Sequence, residues 1–142
     1  MSAEVSFHLH ATEDEERCLL IFSNELDIDP AEFIKTVLEG HYGNEVKRYV
    51  IHLTGRRADE WGKQLILKMN ESDRRRIASE VEKYLDEHGK LYLRLDKQSL
   101  IDGVIRMGIE DVVRVKLKPR LKWNREKMRE DYAEFLLNPL DP

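Results

Sequence analysis

The sequence predicts an α+β fold of two layers, in which helices pack on one face of a mostly antiparallel β-sheet. Three segments alternate apolar and polar residues, which is typical of strands with one buried face. Two further segments are rich in β-forming residues, and the stretches between the strands carry apolar residues at helical spacing. Alternation favours antiparallel pairing, because parallel strands are usually buried on both faces.

The N-terminal third predicts a strand, a helix and a hairpin. Residues 3–11 alternate and predict the first strand. Thr12, followed three residues later by Glu15, has the pattern of a capping box and indicates that a helix begins there. Residues 33–39 and 46–53 predict a hairpin, because two glycines and an asparagine that tolerate positive φ lie between them.

Two helices are expected next. Thr54 is expected to cap a helix that extends to about Met69. A further helix is expected to start at Asn70 or Ser72 and to stop at Gly89, because glycine readily adopts the left-handed conformation that ends a helix.

The C-terminal third returns to strands. Residues 91–97 alternate and predict a strand, and residues 99–105 predict a short helix. Residues 111–117 predict the last strand, which Pro119 ends because proline lacks the backbone donor that a sheet needs. Asn124 is expected to cap a final helix. The predicted order is therefore β-α-β-β-α-α-β-α-β-α.

Length and composition restrict the class of protein. The 142 residues form one expected domain (1–142), since no repeat or Pro/Gly linker divides them. Charged residues make up 37% of the chain, and no apolar run approaches the roughly 20 residues of a membrane-spanning helix. The N-terminus is acidic where a signal peptide would be apolar, and Cys18 has no partner for an internal disulfide. We therefore expect a cytoplasmic protein.

The charges are segregated along the chain. The net charge is −4, but residues 1–40 carry −8 and residues 113–130 carry +6. Such asymmetry is more informative than the total, because a local basic region can bind a polyanion that the whole chain would repel.

Cations and aromatic rings lie at outward strand positions, which gives one candidate site. Cations neutralise phosphates and flat rings stack on unpaired bases, so this mixture favours RNA binding. Solvated outer faces of strands are the alternative interpretation. The outward residues are His8, His10, Tyr92, Arg94, Arg114, Lys116 and Lys118.

The segment that follows the last strand is a second candidate. Arg120, Lys122 and Trp123 combine cations with an aromatic ring, as expected at the rim of a nucleic-acid site. Lysines that discourage edge-to-edge strand pairing are the alternative. Arg74, Arg75 and Arg76 oppose the dipole at the start of their helix, which indicates either a polyanion contact or pairing with nearby acids.

The sequence contains no recognised catalytic or metal-binding motif, so it gives no support for an enzyme. His8, His10, His41 and His52 lack the spacing of known metal motifs, and no phosphate-binding loop or nucleophile elbow occurs. Cys18 lies on an apolar helix stripe, where a free cysteine usually packs as a small hydrophobe. We therefore assign no catalytic residue, metal or cofactor.

Three motifs in order carry a family resemblance. They lie at residues 10–14 (HATED), 39–44 (EGHYGN) and 91–98 (LYLRLDKQ). The chain resembles an archaeal family of small proteins described as RNA-binding or exosome-subunit-like. The resemblance implies a fold similar to ribosomal protein L5 and a non-enzymatic role near RNA, with the exosome or other RNA-processing proteins as partners. It adds Lys97 to the candidate RNA-binding residues.

A protein-interaction or assembly subunit with no direct RNA contact is the alternative function. Its acidic N-terminal region would then meet a basic partner or the basic segment of a second copy, which would make the protein a homo-oligomer.

Overall fold

The computed structural model describes residues 1–40, 43–118 and 125–139. Within these ranges the strands and helices follow the predicted order. The strands are β1 (Ser2–His10), β2 (Ile34–Glu39), β3 (Glu45–Thr54), β4 (Leu91–Asp96) and β5 (Val112–Lys118). The helices are α1 (Glu15–Glu25), α2 (Gly55–Lys68), α3 (Glu71–Ser79), α4 (Lys97–Ile101) and α5 (Arg125–Leu137), and 3₁₀ turns span Pro30–Glu32 and Val81–Tyr84.

The strands form one antiparallel sheet in the order β2-β3-β1-β5-β4. The register brings the apolar residues of neighbouring strands into rows. Val5 lies opposite Ile51 on one side and Val115 on the other, and Leu93 continues the row. All four are buried in one core with the helices. The face that carries them is called the inner face, and the opposite face the outer face.

Aromatic rings fill the middle of this core. Phe7 stacks on Tyr49 with 5.2 Å between the ring centroids, and it meets Phe22 and Phe33 edge-on at 5.0 and 5.3 Å. Such pairs contribute about 0.5–1.5 kcal/mol beyond the area they bury. They join β1 and β3 to α1 and to the end of the first 3₁₀ turn.

The last helix packs on the inner face. The hydroxyl of Tyr132 lies 3.0 Å from the carbonyl oxygens of Gly89 and Leu117, and Met128 and Leu136 are buried in the same core. Because α5 packs against the inner face, it does not cover the outer face. The two-layer α+β prediction is confirmed, and the architecture is consistent with an L5-like fold.

Two helix starts differ from prediction. The cap of α1 is Asp14, whose carboxylate accepts a hydrogen bond from the Arg17 amide, so Thr12 is not the cap. The short helix α4 starts two residues before the predicted 99–105 range. Asp96 causes this shift, because its carboxylate accepts hydrogen bonds from both the amide and the hydroxyl of Ser99.

The third helix is shorter than expected. The backbone of Glu80 leaves the helical region at φ −128° and ψ 33°, so α3 ends at Ser79 and a separate 3₁₀ turn follows. Leu85 then forms an isolated bridge with Leu91, which brings this turn to the free edge of β4. The predicted stop at Gly89 is therefore wrong.

Helix length and hydropathy are relevant to membrane insertion. None of the helices in the described ranges has the length and apolar character needed to span a bilayer.

Candidate nucleic-acid interface

The outer face brings together cations from two neighbouring strands. Arg94 of β4 lies directly opposite Arg114 of β5, and Tyr92 lies opposite Lys116. Lys118 is exposed at the end of β5. The register therefore confirms that these sequence-predicted residues share one face. Tyr92, Arg94, Arg114, Lys116 and Lys118 are called the basic cluster.

The ring of Tyr92 is the centre of the basic cluster. The Arg94 guanidinium carbon lies 4.9 Å from the ring centroid, and the Lys116 ammonium nitrogen lies 5.3 Å from it. Each cation–π contact at an exposed site contributes about 0.5–1 kcal/mol. The ring thus holds the positive charges of Arg94 and Lys116 close together.

Three cations of the basic cluster have no acidic partner in the described part of the chain. Among the described residues, no carboxylate forms an ion pair with Arg94, Arg114 or Lys116. Glu4 lies opposite Lys116 in the register of β1 and β5, but the two groups do not form an ion pair. The positive charge is therefore available to a ligand.

The central strand contributes two histidines to the same face. His8 is half-buried and lies opposite Arg48, whereas His10 at the end of β1 is exposed. Burial, followed by the nearby Arg114 and Arg48 guanidinium groups, lowers the pKa of His8 below its usual value. The lowered pKa favours the uncharged imidazole, which offers a flat ring and a hydrogen bond rather than a positive charge.

Lys97 does not belong to this surface. Only 1% of the residue is exposed. Its ammonium donates to the His8 carbonyl oxygen at 2.7 Å, to Glu13 Oε1 at 2.8 Å and to Asp111 Oδ1 at 3.3 Å. These three acceptors use all of its protons. The prediction that Lys97 binds RNA is corrected accordingly, because this lysine ties α4 to β1 and to the start of β5.

Three of the predicted RNA-binding residues, Arg120, Lys122 and Trp123, lie outside the described residues. Pro119, the predicted end of the last strand, and Asn124, the predicted cap of the last helix, also lie outside them.

Sequence reasoning missed two contributors near the basic cluster. Arg48 is half-buried at an outward position of β3. Val46 and Val50 occupy the outward positions on either side of it, so the sequence does not show a polar face there. Tyr84 packs partly against the core and also lines a cleft beside Tyr92. Its position depends on the 3₁₀ turn that replaces the end of the predicted helix, so the helical pattern gave no signal for it.

Within the described residues, the structure shows neither a metal-binding cluster nor an activated thiol. Over residues 1–40, 43–118 and 125–139, no three His, Cys, Asp or Glu side chains are grouped to hold a metal ion. Cys18 is buried, and this burial raises the pKa of its thiol, which disfavours the nucleophilic thiolate.

Two comparisons with known proteins both give an RNA-binding name. The family model RNA_binding, described as "RNA binding", matches residues 2–119. The chain is 29% identical over 116 residues to RNA-binding protein PAB1135 of Pyrococcus abyssi, which covers 78% of this chain and 75% of that protein.

Solved structures extend the comparison to the fold. AF2318 of Archaeoglobus fulgidus, a DUF54 protein, is 30% identical with a TM-score of 0.76 and coverage of 94% of this chain and 96% of its own. Mth689 of Methanothermobacter thermautotrophicus, also a DUF54 protein, has a TM-score of 0.76 at 24% identity, with coverage of 96% and 97%. At that identity the second match shows the fold alone. None of these names describes an enzyme.

Proposed function

Because the chain belongs to the RNA_binding family, we propose that it is a non-enzymatic protein that binds RNA through its basic cluster. The observation that carries this proposal is the direct cross-strand pairing of Arg94 with Arg114. Like charges directly opposite each other on neighbouring strands destabilise a sheet. A phosphate placed between them replaces this repulsion with two charge-assisted hydrogen bonds, so the pairing favours a polyanionic ligand.

The aromatic ring makes RNA a better ligand than a simple polyanion. Tyr92 offers a π-surface among the cations, and unpaired bases stack on such rings. The Arg94 side chain lies over that ring but is exposed to solvent. Its guanidinium can therefore turn away from the ring toward a phosphate when a base stacks there. Rings interleaved with cations are the composition of single-strand binding surfaces.

The acidic net charge does not oppose this proposal. Several acids of the first forty residues are occupied within the protein: Glu13 pairs with Lys97, Glu15 with Lys35, and Glu32 with Arg57. The Debye length is about 8 Å at physiological salt, so distant carboxylates are largely screened from a phosphate on the outer face. Local charge therefore controls binding.

Fluorescence anisotropy with a labelled single-stranded RNA at low and near-physiological salt tests the proposal. We expect wild-type affinity to fall with salt by about 0.7 log units per contacted phosphate for each tenfold increase. Arg114→Glu/Lys116→Glu/Lys118→Glu should lose this binding while its circular dichroism spectrum stays that of a folded protein.

A matched control carries the same charge change on the helical layer. Arg75 pairs with Glu71 at 2.6 Å and Arg76 with Asp73 at 3.3 Å, so pairing with nearby acids accounts for these arginines. Arg56 and Arg75 expose 92% and 71% of their side chains, and Lys68 is also exposed. Arg56→Glu/Lys68→Glu/Arg75→Glu should retain wild-type affinity within about threefold, since distant exposed charges are largely screened. Equal losses in both triple variants, or wild-type binding weaker than about 10 μM at low salt, would overturn the proposal.

Association with the exosome or another RNA-processing complex is a finer proposal that rests on the motif resemblance. Co-purification with and without ribonuclease tests it. A partner that stays bound after RNA digestion supports direct association, and the absence of RNA-processing proteins from the wild-type sample contradicts it.

A second candidate function, self-assembly, is favoured by one edge of the sheet. All six residues of β2 are exposed, and this strand pairs only with β3 in the described sheet. Ile34 and Val37 are 67% and 53% exposed, which is typical of an edge that can pair with another chain. We expect a second copy as the partner. Light scattering should show a dimer that Val37→Lys disrupts, whereas a wild-type monomer would contradict this candidate.

A further inference from the structure

A cleft of about 670 Å³ opens at the β4 edge of the sheet, beside the basic cluster. Its walls come from β4, from the 3₁₀ turn Val81–Tyr84 with the end of α3, and from the segment at residues 107–109. The volume lies within the roughly 300–1,000 Å³ of typical ligand pockets. Tyr92 and Arg94 line it as well, so the cleft is continuous with the basic cluster.

The cleft combines aromatic and apolar groups. Tyr84 and Tyr92 supply two rings, and Leu85, Met107 and Ile109 supply aliphatic surface. Ile109 is 89% exposed, although burial of so large a side chain would be favourable. A flat apolar ligand would cover this surface.

The charges in the cleft separate a base from a phosphate. Glu80 and Asp86 also line the cleft, and Lys83 is paired with Glu80 at 3.4 Å. Asp86 Oδ1 accepts hydrogen bonds from the His88 and Lys90 amides. Arg76 also lines the cleft and pairs with Asp73 at 3.3 Å. Among the described lining residues, the cation without a carboxylate partner is therefore Arg94, which lies where the cleft meets the basic cluster. A phosphate is expected at Arg94, and an uncharged base suits the remainder of the cleft, where the cations are already paired.

We propose that this cleft holds one unpaired base of a single-stranded RNA whose phosphates contact Arg94 and Arg114. The inference rests on the proposed function and adds a preference for unpaired RNA. A base in a duplex is already stacked and paired, so it cannot enter the cleft without being extruded at a cost of a few kcal/mol. Duplex RNA would therefore make only the phosphate contacts.

Fluorescence anisotropy with one labelled RNA, used as a single strand and after annealing to its complement, tests this preference. Wild type should bind the single strand more tightly. Tyr84→Leu removes a ring that lies in the cleft but outside the basic cluster, and it should weaken single-strand binding by about five- to 150-fold, the range for loss of one base stack. Duplex binding should stay within about threefold of wild type, because only the phosphate contacts remain.

A second variant guards against misfolding, because Tyr84 is half-buried. Ile109→Ser changes an exposed side chain and should weaken single-strand binding in the same direction. Leu20→Ser on α1, where Leu20 is 62% exposed, is the matched control and should leave binding unchanged.

The outcomes separate the two proposals. Unchanged single-strand affinity in Tyr84→Leu and Ile109→Ser, with binding still lost in the triple variant of the basic cluster, overturns the cleft and leaves the proposed function standing. Equal losses for single strand and duplex also overturn the cleft. If wild type binds neither RNA, the proposed function fails, and the inference fails with it.

Discussion

Arg94 of β4 and Arg114 of β5 are directly opposed on the outer face of the sheet, and in the described part of the chain neither forms an ion pair with a carboxylate. Such a pair opposes folding, because like charges in register repel each other. The same pair favours a ligand that carries phosphates. Stability and binding are therefore expected to respond in opposite directions when one of the two charges is removed.

Replacement of Arg114 tests this opposition. Arg114→Gln should raise the free energy of unfolding by about 0.2–1 kcal/mol in urea titrations, since it removes the like-charge pair. The same variant should bind single-stranded RNA more weakly and lower the salt slope by about 0.7, the value for one phosphate contact. Arg75→Gln on α3 serves as the control. A less stable variant with an unchanged salt slope would contradict the prediction.

Lys97 should matter for stability and not for RNA contact. Lys97→Met removes one donor from each of three acceptors, the His8 carbonyl oxygen, Glu13 and Asp111, and Glu13 keeps only the His10 amide among the described donors. The expected cost is about 2–4 kcal/mol in the free energy of unfolding. The remaining folded protein should bind RNA within about twofold of wild type, a factor worth only about 0.4 kcal/mol. Chemical denaturation and anisotropy check the two parts.

The control for this prediction is Lys68→Met, because Lys68 is exposed and makes one hydrogen bond, to the Glu25 carbonyl oxygen. Its effect on stability should stay within about 0.5 kcal/mol. A large loss of affinity in folded Lys97→Met would return Lys97 to the interface.

Acid should weaken the fold through Glu15. Hydrogen bonds from Lys35, Lys47 and Tyr49 lower the pKa of Glu15 from its usual 4.5 to about 2. Because the folded-state pKa lies below the unfolded one, this contribution is present above pH 4.5 and is lost as pH falls toward 2. For a partly exposed cluster we expect a contribution of about 1 kcal/mol.

The measurement compares wild type with Glu15→Gln by urea denaturation between neutral and acidic pH. The gap in stability should be widest at neutral pH and should close as the solution is acidified below pH 4.5. A constant gap over this range would show that Glu15 stabilises the fold by packing rather than by charge.

The outward positions of β1, β4 and β5 were predictable because these strands alternate apolar and polar residues, apart from Val112 at the start of β5. In β3 both sets of alternate positions contain apolar residues, such as Val50 on the outer face and Tyr49 on the inner one. Arg48 therefore gave no clear sequence signal. The register with β1 decides its face, and register is a long-range property that local pattern does not contain.

Lys97 could not be separated from Arg94 by sequence, because both are cations in one motif. Its burial depends on Glu13, which is 84 residues away in the chain, and on the His8 carbonyl oxygen. The cleft could not be predicted from the sequence either, because it also depends on a contact between distant residues. Its wall forms only where Gly108 approaches Asp96 so closely that an added Cβ would lie 2.8 Å from the Asp96 Cα.

Photo-crosslinking of the wild-type protein to single-stranded RNA containing 4-thiouridine tests the central claim most directly. Mass spectrometry of the digested complex identifies the peptides that contact RNA. The account predicts crosslinks in β4 and β5, at Tyr92 and near Arg114, with competition by unlabelled single strands. Crosslinks confined to the helical layer, on α2 or α3 away from the sheet, would contradict it.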